Sequence, residues 1–132
     1  MAWRVFSDVA PAIERIRRIG IKLLIGSNFD SRLRGVVAGL PEIADLESTL
    51  VISSEIGVRK PHPRFFRAAC ERLGCEPSGL LCVGDDERND VQGAIRAGAH
   101  AVLVDRLGKH NRDDEEGFRD LLPIVAQLVE SA

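Results

Sequence analysis

No stretch of the chain approaches the roughly 18 to 20 consecutive apolar residues that a membrane-spanning helix needs, and its N-terminus carries no basic segment leading into an apolar core. Membrane insertion is therefore not expected. Basic residues are in no surplus either: the formal net charge is -2 and the pI is near 5.9. That balance lacks the positive surplus that displaces counterions from a nucleic-acid backbone, so binding to DNA or RNA is not expected. Cysteine is scarce. Cys70, Cys75 and Cys82 form an odd set with no C-x-x-C spacing and no histidine cluster nearby. Neither a disulfide framework nor a zinc site is indicated, and a reducing, cytoplasmic setting fits this usage. The chain also shows no internal repeat and no linker-like stretch. Its 132 residues, 45% hydrophobic and 29% charged, suit one globular domain spanning 1–132.

Periodicity supplies the architecture. Val9, Ala12, Ile13 and Ile16 recur at helical spacing, with Asp8 placed to cap the helix and Gly20 placed to end it. Ile21 to Ser27 is a mostly apolar run too short for a helix, which suits a strand buried on both faces of a parallel sheet. The same alternation predicts a helix over about Ser31 to Ala38, a strand near Thr49 to Ser53, and a helix marked by Phe66, Ala69, Cys70 and Leu73. It then predicts a strand from Leu80 to Val83, a helix from about Asn89 to Gly98, a strand from Ala101 to Val104, and a closing helix through Leu121, Ile124, Val125 and Leu128. Gly108 to Gly117 is charged, lacks apolar anchors and reads as an exposed loop. Strand and helix alternating with short connectors imply an α/β, Rossmann-like parallel sheet with helices on both faces.

Ligands of such sheets bind beyond the C-terminal strand ends, where loops and helix N-termini present free amides. Three polar clusters fall there. Gly26-Ser27-Asn28 offers a hydroxyl and backbone N–H groups for a phosphoryl oxygen, although serine and asparagine at such a place commonly cap the next helix. Gly57-Val58-Arg59-Lys60-Pro61 places a lysine, made extended by the following proline, just before a helix, where it can neutralise an anion. Gly84-Asp85-Asp86-Glu87-Arg88-Asn89-Asp90 crowds four carboxylates into six residues behind a strand, which suggests a cation. Magnesium is held by one or two protein carboxylates together with waters and the substrate's phosphate, so Asp85 could ligate it with that help. Asn89 and Asp90 could equally cap the helix that follows.

Taken in order, Ser27-Asn28, then Lys60-Pro61, then Gly84-Asp85-x-x-x-Asn89-Asp90 resemble the second, third and fourth motifs of the haloacid dehalogenase-like hydrolases. Ser27-Asn28-Phe29-Asp30-Ser31-Arg32-Leu33 and Glu55-Ile56-Gly57-Val58-Arg59-Lys60-Pro61 look particularly like the dehalogenase-like hydrolase domain-containing subgroup. The resemblance covers about residues 3 to 105. It implies a phosphatase-type, two-step phosphoryl transfer on a small phosphorylated metabolite, with Mg²⁺ as cofactor. In that scheme Ser27, Asn28 and Lys60 hold the phosphoryl group, Asp85 ligates the metal, and Asp90 orients Lys60 or metal-bound water. Ser27, Lys60 and Asp90 are thus the implied catalytic set.

Two features of the family are absent from these residues. The first motif carries the nucleophilic aspartate after the first strand; the only aspartate before Ser27 is Asp8, in a setting that starts a helix. The cap domain that selects the substrate is missing too. The resemblance further places the absent first strand at the centre of the sheet, between the strands ending at Ser27 and Asp85. The expectation is therefore an incomplete core that is nearly inactive alone, with self-association through the incomplete sheet or closure of the flanking strands onto each other. A non-catalytic module that binds phosphate, Mg²⁺ or a protein is the alternative. A receiver-like signalling domain would need its acceptor aspartate at a strand end upstream of the lysine, and no residue fills that place.

Overall fold

The computed structural model describes residues 7–104 and the backbone of residues 117–118. The expected closing helix and most of the charged loop lie outside the described residues. Helix α1 (Val9–Arg18) leads to strand β1 (Ile25–Ser27), α2 (Arg32–Ala38), a 3-10 turn (Ala44–Thr49), β2 (Leu50–Ile52) and the short α3 (Ser53–Ile56). Then follow α4 (Pro63–Leu73), β3 (Leu81–Gly84), a π-helical turn (Glu87–Gln92) running into α5 (Gly93–Arg96), β4 (His100–Val104) and β5 (Gly117–Phe118). No helix among the described residues is long and apolar enough to cross a membrane.

Local chemistry accounts for the best-formed helix. Pro63 occupies the first turn of α4, where its missing N–H costs nothing, and His62 Nδ1 accepts a hydrogen bond from the Arg64 amide at 3.1 Å. Gly74, at φ 71°, ends the helix in the left-handed conformation and donates its N–H to the Cys70 and Glu71 carbonyls. The buried face is Phe65, Phe66, Ala69 and Cys70. Helix α1 is more lightly seated: Ala12 is buried, while Val9, Ile13 and Ile16 are half-buried.

The parallel α/β reading holds, but the sheet is not continuous. β1 pairs with β2 in parallel, and β3, β4 and β5 form a second parallel sheet. Among the described residues nothing pairs β1 with β3. The two flanking strands have therefore not closed onto each other. β1 is also shorter than the predicted Ile21 to Ser27, because only Ile25, Gly26 and Ser27 find partners on β2. Its residues are half-buried rather than enclosed on both faces. β5 falls at the end of the segment expected to be a loop.

What joins the two sheets is packing. β2 alternates faces as a strand must: Leu50 and Ile52 pack with Leu33 and Val37 of α2, while Val51 joins Phe65, Phe66, Ala69 and Cys70 of α4. That second group continues to Leu80, Ala94 and Ala99, which belong with the β3–β4 half. Helix α4 thus spans the seam. Burying each such aliphatic side chain stabilises the fold by about 1.5 to 3 kcal/mol. Leu50 is fully buried, and Leu50→Ala is expected to cost about 2 to 5 kcal/mol by urea denaturation; a loss below about 1 kcal/mol would contradict the packing described for β2.

Candidate functional site

Between the two sheets lies a hollow of about 660 Å³. One end is mostly apolar, with Ile16, Leu24, Leu73 and Leu81 on its walls beside Lys22. The other end is polar and is lined by Gly26, Ser27, Lys60, Gly84, Asp85 and Asp90. Ser27 arrives as the last residue of β1, Asp85 immediately after β3, and Lys60 just ahead of α4, behind a cis Lys60–Pro61 peptide. Four of the five residues singled out in the sequence therefore face one space. The fifth, Asn28, is not on the wall.

Asn28 instead fixes the lysine. Its side-chain Oδ1 accepts from the Lys60 backbone N–H at 2.7 Å, and its Nδ2 donates to the Lys60 carbonyl at 3.0 Å. Both ends of one amide are thus spent on one backbone residue from a distant loop. The lysine side chain then reaches inward, where Nζ meets Asp90 Oδ1 at 2.5 Å and the Gly26 carbonyl at 3.4 Å. It also stands 5.6 Å from the centre of the Phe65 ring, within cation–π range. With side-chain exposures of 14% and 7%, Lys60 and Asp90 form a pair mostly removed from water, so its geometry is far more constrained than that of a surface ion pair.

Asp90 is itself held. Its Oδ2 accepts the Asp86 amide at 3.2 Å, and its side chain lies so close to Gly84 that a Cβ there would fall 2.2 Å from Oδ2. Glycine at position 84 is therefore required by the aspartate, a constraint that the Gly84-Asp85 motif displays without explaining. Helix capping also differs from expectation: Asp86 Oδ1, not Asn89 or Asp90, takes the capping bond, accepting from the Asn89 amide at 2.8 Å. This moves the helical turn forward to Glu87 and swings Asp90 back toward the hollow. Phe65 and Gly84 are the site residues that motif reading did not single out.

The Ser27 hydroxyl and the Asp85 carboxylate differ from these anchored groups, since neither has a hydrogen bond or ion pair among the described residues. Asp85 is exposed, and no cluster of three or more metal-ligating side chains occurs among the described residues. A single free carboxylate at a strand end is the donor set that suits magnesium, which keeps most of its waters and shares a phosphate. Cysteine chemistry is not available in its place. Burial pushes the Cys82 thiol up to about 11, with the Asp90 charge adding to the effect and Lys60 opposing it, so Cys82 carries no thiolate near neutrality.

Similarity to known proteins agrees with this geometry. A family model described as haloacid dehalogenase-like hydrolase matches residues 1–98. The chain belongs to that family. It is 36% identical over 102 residues to the mouse haloacid dehalogenase-like hydrolase domain-containing protein 3, covering 77% of this chain and 40% of that protein. It is 34% identical to a glyceraldehyde 3-phosphate phosphatase of Methanopyrus kandleri, covering 94% of this chain and 58% of the relative. Among solved structures, a haloacid dehalogenase-like phosphatase of Thermococcus onnurineus superposes with a TM-score of 0.84 at 30% identity, over 95% of this chain and 58% of that one. The chain thus spans about half the length of the relatives it matches.

Two substitutions test how the haloacid dehalogenase-like site is held. Gly84→Ala is expected to dislodge Asp90 and cost about 3 to 5 kcal/mol, the range for breaking a buried pair. Asn28→Ala is expected to cost about 1 to 3 kcal/mol and to speed hydrogen exchange of the Lys60 amide. Urea unfolding with exchange read by NMR checks both, and an unperturbed Lys60 amide in Asn28→Ala would contradict the clamp.

Proposed function

We propose that this chain forms the phosphate- and magnesium-holding part of a phosphatase-type hydrolase that acts on small phosphorylated metabolites. One observation carries the reading: a free hydroxyl, a fixed ammonium and a free carboxylate, from three separate loops, line the same polar end of one hollow. Relatives named for glyceraldehyde 3-phosphate and phosphoserine support the substrate class.

Each residue has a distinct task in this scheme. Ser27 donates its hydroxyl to a phosphoryl oxygen, helped by the backbone N–H groups of the loop behind it. Lys60 meets a second oxygen with its remaining N–H and offsets charge, and Asp90 holds it at that angle. Asn28 acts on the lysine's backbone, so its side chain positions the cation while its own N–H is left for the anion. Asp85 would hold magnesium, which when bound supplies positive charge to the phosphoryl oxygens. Phosphoryl transfer depends chiefly on such positioning and electrostatic stabilisation.

Charge balance makes the two ligands interdependent. Lys60 is already offset by Asp90, so Asp85 leaves the polar end negative before any phosphate arrives. A dianion would add to that repulsion. Divalent magnesium reverses the balance, and anion and metal should therefore bind together far better than either binds alone. Within these 132 residues no aspartate stands at a strand end ahead of Ser27. Losing a covalent nucleophile can cost on the order of a millionfold in turnover, so the chain by itself is expected to bind rather than hydrolyse.

Thermal unfolding with Mg²⁺ and orthovanadate tests this reading. Added together they are expected to raise the melting temperature by several degrees, as an excess of ligand over its dissociation constant stabilises the fold by about 3 kcal/mol. Either alone should do much less, and Asp85→Ala should remove the joint effect. A rise with vanadate alone, undiminished in Asp85→Ala, would refute the charge argument.

A further inference from the structure

Two of the three thiols share one place in the fold, apart from the phosphate chemistry. Cys82 lines the hollow, whereas Cys70 and Cys75 line a separate, open groove of about 360 Å³ at the C-terminal end of α4, together with Arg67, Glu71 and Pro77. The two cavities have no lining residue in common.

The way α4 ends puts these cysteines together. Gly74 turns into the left-handed region and sends its N–H back to the Glu71 carbonyl at 3.3 Å, while the Cys75 N–H reaches the Cys70 carbonyl at 3.0 Å. That paired reversal sets the side chain just past the helix beside one in its last turn, and here both are cysteine. Because one 3.0 Å hydrogen bond links their peptide groups, covalent geometry keeps the two α carbons within about 7 Å, the separation up to which a disulfide forms without moving the backbone. The thiols are themselves in hydrogen-bonding contact, and Cys75 packs on the apolar cluster that contains Cys70. Burial first, and then the neighbouring Cys75 and Glu76, push the Cys70 thiol up, so it stays protonated near neutrality. Cys75 is half-buried and opens to the groove. One sulfur is therefore reachable from solvent, and the second stands buried behind it.

We propose that Cys70 and Cys75 are a reversible redox pair, which hydroperoxides oxidise to an intramolecular disulfide across the end of α4 and thiol reductants reopen. The Cys75 sulfur attacks the outer peroxide oxygen, the O–O bond breaks, and the departing alkoxide or hydroxide leaves with the Cys75 proton as alcohol or water. Cys75 is then a sulfenic acid. The Cys70 sulfur attacks it, the S–S bond forms as the S–O bond breaks, and the hydroxyl departs with the Cys70 proton as water. Two electrons pass from the thiols to the peroxide. A resolving thiol already in contact keeps Cys75 from advancing to the irreversible sulfinic state. The closed ring ties the end of α4, the helix that spans the seam between the sheets, to the chain leading into β3.

The full chain is treated with hydrogen peroxide, quenched with an alkylating reagent, and read by intact mass and by peptide mapping without reductant. The expected product has lost two hydrogen atoms, carries a Cys70–Cys75 link with Cys82 alkylated, and returns to its starting mass with dithiothreitol. In the native chain that link should exceed a Cys75–Cys82 link by at least about tenfold, whereas in urea the two should form in comparable amounts. In Cys70→Ala, dimedone should label Cys75 as the trapped sulfenic acid. Several results would overturn the proposal: sulfinic acid on Cys75 beside a free Cys70, a link to Cys82 or between chains instead, the same selectivity in urea, or three intact thiols while free cysteine in the same solution is consumed. The unsubstituted chain decides the matter even if Cys70→Ala does not fold. Neither magnesium nor phosphate enters the experiment, so its failure leaves the magnesium-linked anion test unaffected.

Discussion

The position of one ammonium group governs the rest of this molecule's chemistry. Lys60 is fixed at both levels: Asn28 grips its backbone from the loop after β1, and Asp90 holds its Nζ from the turn after β3. Those two contacts tie together the ends of two sheets that share no backbone hydrogen bond among the described residues. A buried pair of this kind contributes little net stability against an apolar substitute, because desolvation offsets most of the attraction. What it gives is a defined geometry. It offsets the charge of the lysine and leaves Asp85 as the free carboxylate, which in the proposed scheme makes anion binding contingent on an added cation.

The hollow between the sheets follows from the same arrangement. Helix α4 seals one side of the seam with Phe65 and Phe66, and the ring of Phe65 also forms the floor under Lys60. Gly26 leaves only 3.0 Å between a would-be Cβ and that ring, and Gly84 leaves no room at all beside Asp90. Both glycines stand where a strand end meets the site, so the backbone can approach Phe65 and Asp90 without a side chain in the way. The apolar part of the hollow and its polar end are thus two regions of one structure, bounded by the same pair of strands.

Much of this was legible from the order of residues. Helices α2 and α4 stand close to where apolar spacing put them. Strand ends carry the polar clusters because the loops there are the places with free amides. The misreadings have physical causes. Ile21 to Leu24 is apolar enough for a strand but has no strand partner among the described residues, and periodicity cannot report pairing. Asp86 displaced Asn89 and Asp90 from the capping role because the chain turns into a wider helical coil at Glu87, two residues sooner than expected. The clamp of the Asn28 side chain on the Lys60 backbone was not legible, because the two residues are remote in sequence. The split between the sheets was legible only through resemblance to a family.

Convergence of the three loops on one bound cation is the claim that everything functional depends on, and paramagnetic broadening reads it directly. With Mn²⁺ substituted for Mg²⁺ in the presence of vanadate, the amide signals of Ser27, Asn28, Lys60 and Asp85 should broaden together while those of Cys75 and the exposed face of α1 remain sharp. Broadening confined to the acidic segment from Asp85 to Asp90, with Ser27 and Lys60 untouched, would contradict the account.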